Sequence, residues 1–391
     1  MAARIYLDHN ATTPLLPSVA RRLEEARLAG YANPASQHAE GRAARRVLEQ
    51  ARESITERLG GNTNSLDADQ LVFTSGATEA NTLALRGFAG PPGGTVVISS
   101  IEHPSVVDTA TRMASEGFAV RRIRCLPSGV IDVAHAAELI EQDSVRVVSV
   151  MLANNETGVV QPVAAVARLC AKRGVPMHTD AVQAVGKQAV SLRELGVTAL
   201  SFTAHKFHGP RGVGGLLVRG GARLDPLLHG GPQQGGLRAG TEVVDLALGT
   251  VSALDAWTAE SEARGTRMAM LRDRLEQQRN ESCPEAGVLG AAAPRLPHTS
   301  CIAFPGRDRQ AMVMALDLAG MACSTGSACA SGSAEPSPTL LAMNTPEELV
   351  SSAIRLSLGA LTTADEVDRA ADCISRVSND LRRVENRVAR A

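Results

Sequence analysis

The sequence predicts an α/β fold with a large domain, built on a mostly parallel seven-stranded sheet, and a smaller α+β domain. Two patterns support this prediction. Short β-rich runs alternate with helical patterns through the first two thirds of the chain, as in parallel sheets joined by crossover helices. Most of these runs are apolar throughout, as expected where helices cover both faces of a sheet. A chain of 391 residues is long enough for two such domains.

Seven runs are predicted as strands of the large domain, at residues 70–74, 95–100, 119–124, 145–152, 175–180, 199–203 and 213–218. Helical patterns lie at 36–59, 77–88, 104–116, 133–141 and 163–172, and one long helical segment covers 243–280. The Gly/Pro-rich residues 228–240 are predicted as an irregular loop. Further strands are expected near 299–304 and 353–358, with helices at 310–319 and 363–387. We therefore assign residues 16–260 to the large domain, and 1–15 with 261–391 to the small one.

The composition argues against several classes of function. The chain has 40 Lys and Arg residues against 41 Asp and Glu, so its net charge suggests neither nucleic acid nor an anionic membrane as partner. No apolar run is long enough to span a bilayer, and the first residues turn polar too soon for a secretory signal. The seven scattered cysteines contain no Cys-x-x-Cys pair, which argues against a disulfide framework or a zinc site and fits a reducing cytosol. We therefore expect a cytoplasmic protein.

Polar residues follow five of the predicted strands, at the point where each strand ends. They are the segment 74–79, His103, the segment 154–156, Asp180 and Lys206. Ligands of open α/β sheets collect at the carboxyl ends of the strands. These positions therefore predict one shared site at a single edge of the sheet.

Two of these positions have both a functional and a structural interpretation. The small residues 75–78, at the start of a helix, resemble a phosphate cradle but also suit a simple helix cap. In the functional interpretation, Asp180 pairs with the ring nitrogen of a pyridine cofactor and keeps it protonated, which makes the ring an electron sink. In the structural interpretation, Asp180 caps the turn that follows. Gln183 lies one turn further along, where its amide can reach the phenolic oxygen of such a ring.

Lys206 is the candidate imine-forming amine, although most lysines are solvated surface charges. His205 and His208 flank it, and Gly209-Pro210 prevents a helix from continuing. Burial near other cations favours the deprotonated amine that imine formation requires. This setting favours the chemical interpretation of Lys206.

His103 and Arg355 also carry two interpretations. His103 can stack on a cofactor ring and move protons, in a chain with one tryptophan and two tyrosines, or it can cap a helix. Arg355 is a lone charge in an apolar β-like run. Its guanidinium either makes two hydrogen bonds to a carboxylate of a ligand or forms an ion pair within the protein. The histidines lack zinc-type spacing with supporting cysteines, so no metal site is expected.

Cys329 lies in residues 324–333, a run dominated by Gly, Ser and Ala. Such a segment buries little area to offset its ordering entropy, so we expect it to be mobile. Mobility suits a thiol that attacks a bound substrate and carries the product away. The alternative is a flexible surface loop that happens to contain a cysteine. Together, Lys206 and Cys329 indicate pyridoxal phosphate (PLP) chemistry on sulfur.

The motifs of the chain, taken together, closely resemble those of the NifS/IscS-like cysteine desulfurases. These belong to the class V aminotransferase group of fold-type I PLP enzymes. The resemblance runs from residue 6 to at least residue 359. It rests on YLDHNATTP at 6–14, NPASQH at 33–38, TSGATEAN at 74–81, EH at 102–103, NNETG at 154–158, HTDAVQ at 178–183, AHK at 204–206, RAGT at 238–241, GSAC at 326–329 and IRLS at 354–357.

By position, the resemblance implies that Lys206 forms the internal aldimine, Asp180 pairs with the pyridine nitrogen, and Gln183 meets the phenolic oxygen. His103 would stack on the ring. The phosphate would be held by Ala77, Thr78, Thr203 and His205, joined by Thr241 of the partner subunit in a homodimer.

The resemblance also implies the reaction. Asn155 and Arg355 would bind the carboxylate of L-cysteine, and Lys206, once displaced, would remove the Cα proton. The Cys329 thiolate would then attack the substrate sulfur and become a persulfide, leaving L-alanine, with His103 as the candidate for the accompanying proton transfers. A sulfur-acceptor or scaffold protein would take the sulfur to iron–sulfur cluster or thio-cofactor synthesis.

The alternative functions are a selenocysteine lyase or a class V aminotransferase, although a transaminase has no use for Cys329. A non-catalytic adaptor with the same fold is expected to have lost Lys206 or Asp180.

Two residues depart from the family pattern. Cys323 stands where a small apolar residue is more usual, and it is either a second thiol for sulfur relay or a cysteine packed in a strand. Thr203 stands where serine is commoner. The sequence ends with its last predicted helix, without the longer tail that some members use to dock a scaffold, so the acceptor stays open.

Overall fold

The structure, a computed structural model, describes residues 4–326 and 335–388. Its strands are β1 (Ile5–Tyr6), β2 (Gln70–Thr74), β3 (Thr95–Ser99), β4 (Ala119–Ile123), β5 (Val145–Ser149), β6 (Met177–Asp180), β7 (Ala199–Thr203), β8 (Gly214–Val218), β9 (Gly287–Val288), β10 (Thr299–Ala303), β11 (Met321–Ala322) and β12 (Ala353–Ser357). Its helices are α1 (Pro17–Leu28), α2 (Ala39–Arg58), α3 (Ala77–Ala89), α4 (Pro104–Ser115), α5 (Val133–Ile140), α6 (Val163–Arg173), α7 (Leu192–Leu195), α8 (Val244–Thr258), α9 (Ser261–Ser282), α10 (Arg309–Leu318), α11 (Pro338–Ala342), α12 (Glu347–Ser351) and α13 (Ala364–Val388). Short 3₁₀ turns lie at Ala204–Lys206 and Gln233–Gly236.

Seven strands form the central sheet, in the order β2-β8-β7-β6-β5-β3-β4. The pairs that join β7, β6, β5, β3 and β4 are parallel, whereas β8 runs antiparallel to both β2 and β7. Every residue of β3, β7 and β8 is buried, as their continuous apolar pattern predicts. The predicted α/β fold with a mostly parallel seven-stranded sheet is confirmed.

A second, smaller core surrounds the antiparallel pair β10 and β12, which β9 extends to a three-stranded sheet. Leu275 of α9, Met312 of α10 and Ile374 of α13 are fully buried there. The first strand, β1, joins this core by pairing with β11. The chain then reaches the central sheet, where the Thr13 amide donates to the His205 carbonyl over 2.9 Å. The domain division at residues 16 and 260 stays a prediction.

The predicted elements agree with the structure to within a few residues, except that residues 243–280 form two helices, α8 and α9. Ala259 and Glu260 separate them. Arg264, near the start of α9, donates to the Ala256 carbonyl over 2.8 Å and lies 5.9 Å from the centre of the Trp257 ring. These contacts join the first turn of α9 to the last turn of α8. Among the helices of the described residues, none combines the length and apolar character that crossing a membrane requires.

Candidate active site

Most of the predicted site residues meet in one cavity at the carboxyl edge of the central sheet. The cavity has a volume of about 450 Å³, which lies in the range typical of small-ligand sites. From the predicted set it is lined by Ala77, Thr78, His103, Asn155, Asp180, Gln183, Thr203, His205 and Lys206. The strand-end pattern in the sequence therefore located this cavity.

The N-terminus of α3 forms one end of the cavity. Gly76 occupies the N-cap position and makes no side-chain hydrogen bond there. A Cβ at Gly76 would meet no atom within 4 Å, so the backbone is open to a ligand. Gly214 permits this turn, because a Cβ on it would lie 2.7 Å from the Gly76 carbonyl carbon. Helix amides without a side-chain cap attract anions, which suits the phosphate interpretation.

Thr203 and His205 line the cavity at the end of β7. The Thr203 hydroxyl donates to the Val213 carbonyl over 2.8 Å, so a phosphate would compete for this proton. The His205 ring lies 3.2 Å from the Thr12 hydroxyl through Nδ1. Burial and the charge of Lys206 lower the pKa of His205 to about 4. The ring is therefore neutral near pH 7 and offers one N–H as a donor.

Lys206 lies in the 3₁₀ turn directly after β7 and is partly exposed to the cavity. Its Nζ donates to the carbonyls of Asn10, over 2.6 Å, and Ala11, over 2.7 Å. Asn10 and Ala11 belong to the motif at residues 6–14, but the motif does not predict a role for their carbonyls. Backbone acceptors leave no signal in residue type, so this contact needed the tertiary structure.

Asp180, at the end of β6, lines the cavity with 5% of its surface exposed. Its Oδ1 accepts from the Val182 amide over 3.0 Å, which is the turn-capping contact of the structural interpretation. Its Oδ2 accepts from Asn81 Nδ2 over 2.7 Å. The carboxylate is thus held from two sides where it lines the cavity, which also suits the functional interpretation. Asn81 is the last residue of the motif at residues 74–81, but its contact with Asp180 was not predicted from the sequence.

Gln183 lines the cavity as predicted, and its amide makes two hydrogen bonds. Nε2 donates to the Asn10 carbonyl over 3.2 Å, and Oε1 accepts from Lys187 Nζ over 3.0 Å. Lys187 was not among the residues predicted from the sequence. Its position four residues after Gln183, in the turn that follows β6, was the available signal.

His103 caps α4, as its structural interpretation predicts, because its Nδ1 accepts from the Ser105 amide over 3.1 Å. The same side chain lines the cavity. Both interpretations are therefore compatible with its position. Stacking on a cofactor ring stays a prediction.

Arg355 is paired structurally in the described residues. Its Nη2 lies 2.8 Å from Asp8 Oδ1, and its Nη1 donates to the carbonyls of Asn155 and Gly326 over 3.0 and 3.1 Å. The side chain is 2% exposed and does not line the cavity. The predicted role of Asn155 and Arg355 in holding a substrate carboxylate stays a prediction.

The remaining predicted residues lie elsewhere. Thr241 is exposed and outside the cavity of its own chain, so its predicted role across a dimer stays a prediction. Cys329 lies outside the described residues. Cys323 is partly buried directly after β11, and burial raises the pKa of its thiol to about 12. This favours the packed-cysteine interpretation of Cys323 over a sulfur relay. Within the described part of the chain, no three His, Cys, Asp or Glu side chains are grouped to hold a metal ion.

Residues 5–370 match the aminotransferase class-V family. The chain belongs to this family. A cysteine desulfurase of Cereibacter sphaeroides is 43% identical to this chain, over 97% of each of the two chains. The cysteine desulfurase NifS of Azotobacter vinelandii is 38% identical, over 98% of this chain and 94% of that protein. The solved NifS-like protein from Rickettsia africae ESF-5 has a TM-score of 0.88 at 29% identity, over 96% of this chain and 99% of that one. The predicted resemblance of this class-V chain to NifS/IscS-like cysteine desulfurases is confirmed.

Proposed function

We propose that the chain is a PLP-dependent cysteine desulfurase that converts L-cysteine to L-alanine and transfers the sulfur to Cys329. The observation that carries the proposal is the meeting of Lys206 and Asp180 in one cavity that ends at a glycine-capped helix N-terminus. PLP needs an amine for its aldehyde, a carboxylate for its pyridine nitrogen and an anion site for its phosphate. The names of the relatives support the reaction.

The residues of the cavity fit PLP. Asp180, fixed by Asn81 and the Val182 amide, would hold a proton on the pyridine nitrogen. One Nε2 hydrogen of Gln183 is engaged by Asn10, which leaves the second for the phenolic oxygen. His103 would stack on the ring. The phosphate would lie against the α3 N-terminus, held by Ala77, Thr78, Thr203, His205 and, in a homodimer, Thr241 of the partner subunit.

PLP, when bound, supplies an electron sink for the negative charge that develops at the substrate Cα. Lys206 is the base that removes the Cα proton, and Asn155 with Arg355 holds the substrate carboxylate. The Cys329 thiolate forms a bond to the substrate sulfur as the carbon–sulfur bond breaks. His103 delivers a proton during this exchange. Overall, L-cysteine and the Cys329 thiol become L-alanine and a Cys329 persulfide, so no external oxidant or reductant is needed.

The persulfide sulfur then passes to an acceptor or scaffold protein for iron–sulfur cluster or thio-cofactor synthesis. The proposed setting is the cytoplasm, because scattered cysteines without a pairing pattern suit a reducing compartment. The proposed homodimer brings the exposed Thr241 of one subunit to the cavity of the other.

Attachment of PLP is testable with unusual clarity, since the chain has three lysines, Lys172, Lys187 and Lys206. Borohydride reduction of the loaded protein followed by peptide mapping should place the label on Lys206. Lys206→Ala should lose the visible absorbance of bound PLP. Label on Lys187 or Lys172, or protein that stays colourless with PLP, would contradict the proposal.

Cys329→Ala tests the sulfur transfer. It should bind PLP normally and lose both alanine formation and the protein-bound persulfide. Cys323→Ala is the matched control and should retain both alanine formation and the persulfide. Burial raises the pKa of the Cys323 thiol to about 12, so this thiol does not supply the thiolate that accepts sulfur. Undiminished alanine formation in Cys329→Ala would rule out sulfur transfer to Cys329 and favour a selenocysteine lyase, whereas conversion of the amino acid to a keto acid would indicate an aminotransferase.

A further inference from the structure

A second lysine, Lys187, is buried next to the site and has no role in the proposed reaction. It is 5% exposed, in the turn that follows β6. Burial and the positive charges of Lys206 and Arg355 lower its pKa well below the usual range. All three causes favour a neutral amine. An uncharged amine retains hydrogens to donate and does not carry the cost of a buried charge.

Lys187 belongs to a chain of hydrogen bonds that ends at Lys206. Lys187 Nζ donates to Gln183 Oε1 over 3.0 Å, and Gln183 Nε2 donates to the Asn10 carbonyl over 3.2 Å. The same Asn10 oxygen accepts from Lys206 Nζ over 2.6 Å. The Gln183 amide is therefore held at both ends, by a donor at its oxygen and by an acceptor at its nitrogen.

This arrangement selects one orientation of the amide. A flipped Gln183 would turn Oε1 toward the Asn10 carbonyl, which sets two acceptors against each other. It would also break the observed hydrogen bond from Lys187 Nζ to Oε1, and the uncharged Lys187 would have to turn its lone pair toward the amide nitrogen instead. In the observed orientation, the amide nitrogen has a second hydrogen that is not used by Asn10. The residue thus offers a donor to a ligand in the cavity that it lines.

Both ends of the chain are anchored. The Asn10 side chain bonds to His298 Nε2 over 2.7 Å and to the Thr299 hydroxyl over 2.9 Å. The turn that carries Lys187 packs closely on the residue after Lys206, since a Cβ on Gly186 would lie 2.2 Å from the Phe207 Cβ. Gly186 also has a φ of +74°, which favours glycine. Neither end of the amide can therefore shift without moving packed neighbours.

We propose that Lys187 is a positioning residue that orients the Gln183 amide, so that its nitrogen donates to the phenolic oxygen of PLP. The proposal rests on the proposed PLP function and adds a residue to it. Lys187 acts through Gln183 and does not touch the reacting atoms. Its loss should therefore change cofactor binding and the electronic state of the bound cofactor, and should do so only when Gln183 is present.

A double-mutant cycle on the full chain tests this coupling. The variants are Lys187→Met, Gln183→Ala and the pair together, with Lys172→Met as a control on the exposed end of α6. The readouts are the dissociation constant for PLP and the pH at which the visible absorbance of bound PLP changes. Neither readout requires desulfurase activity. A failure of the proposed reaction is therefore distinguishable from a failure of this inference.

Lys187→Met should weaken PLP binding roughly tenfold, the size of one oriented hydrogen bond, and shift the absorbance midpoint. In the Gln183→Ala background the same change should have no further effect, and Lys172→Met should resemble the wild type. Unchanged binding and absorbance in Lys187→Met would overturn the proposal, as would equal effects with and without Gln183. If Lys187→Met does not fold, the cycle is run with Lys187→Leu, which also removes the donor. A loss of PLP affinity that persists in the Gln183→Ala background would overturn the proposal.

Discussion

Arg355 is ion-paired with Asp8 inside the protein, with Nη2 2.8 Å from Oδ1. The two residues lie at opposite ends of the sequence, one just after β1 and the other in β12. The arginine side chain is 2% exposed and the aspartate side chain 19%. A substrate carboxylate that used Arg355, as proposed, would share the guanidinium with Asp8.

Asp8→Asn should destabilise the protein by about 3 kcal/mol, because it leaves the Arg355 charge buried without its counter-charge. Urea unfolding measures the change. The matched control is Asp317→Asn, which breaks the Arg4–Asp317 pair, whose side chains are 60% and 62% exposed. Exposed pairs of this kind contribute less than about 1 kcal/mol. Equal losses in the two variants would show that the Arg355–Asp8 pair has no special weight.

Glu102 should make stability fall as the pH rises. Burial raises the pKa of its carboxyl from 4.5 to about 8. Oε1 accepts from the Met151 amide over 2.7 Å and from the Ser99 hydroxyl, and buried Oε2 has no hydrogen-bond partner within the described ranges. The folded state keeps this proton up to about pH 8, whereas the unfolded chain releases it above pH 4.5. The contribution of Glu102 to the free energy of unfolding is therefore fully present below pH 4.5 and is lost between pH 4.5 and 8.

Glu102→Gln keeps the acceptor oxygen and removes the titration. Its stability relative to the wild type should rise from pH 5 toward pH 8, with a slope of up to about 1.4 kcal/mol per pH unit. Denaturant unfolding at several pH values measures this. Arg86 holds the pKa of Glu116 below its usual value, so the difference between Glu116→Gln and the wild type should be flat over the same range. A flat profile for Glu102→Gln as well would mean that Glu102 is already ionised.

Gly326→Ala should slow persulfide formation roughly tenfold without changing PLP binding. Gly326 precedes Cys329 by three residues, and misplacement of a reacting thiol slows its reaction. Gly326 has a φ of +97°, and a Cβ on it would lie 2.7 Å from Glu156 Oε2. Its carbonyl also accepts from Arg355. Gly306→Ala is the control, because Gly306 has a φ of +73° but open space around its Cβ position. Single-turnover assays that find the two variants equally active would rule out a role for this contact.

Asn81→Asp should weaken PLP binding by more than about 100-fold. A carboxylate at position 81 would lie next to Asp180 Oδ2, which now accepts from Asn81 Nδ2 over 2.7 Å. Two adjacent carboxylates share one proton, so Asp180 would no longer serve a pyridinium as a full negative charge. Asn81→Ala removes one hydrogen bond and should cost about tenfold or less. PLP titration followed by absorbance measures both, and similar losses would argue against the charge effect.

The central sheet was predictable from local patterns, because strands covered by helices on both faces must be apolar throughout. The same reasoning located the cavity, since parallel strands bring their carboxyl ends to one edge. It did not reveal the break between α8 and α9. That break is accompanied by contacts of Arg264 with Ala256 and Trp257, which no periodicity records.

The sequence alone determined the fold class, the family and the lysine and aspartate that meet in the cavity, because residue type and local spacing carry that information. Tertiary structure decided how these groups are held. The carbonyls of Asn10 and Ala11 reach Lys206, Asp8 reaches Arg355, and Lys187 reaches Gln183. The first two contacts join distant parts of the chain, and the third depends on a buried turn. Such contacts arise when packing excludes water and forces each polar group to find a partner.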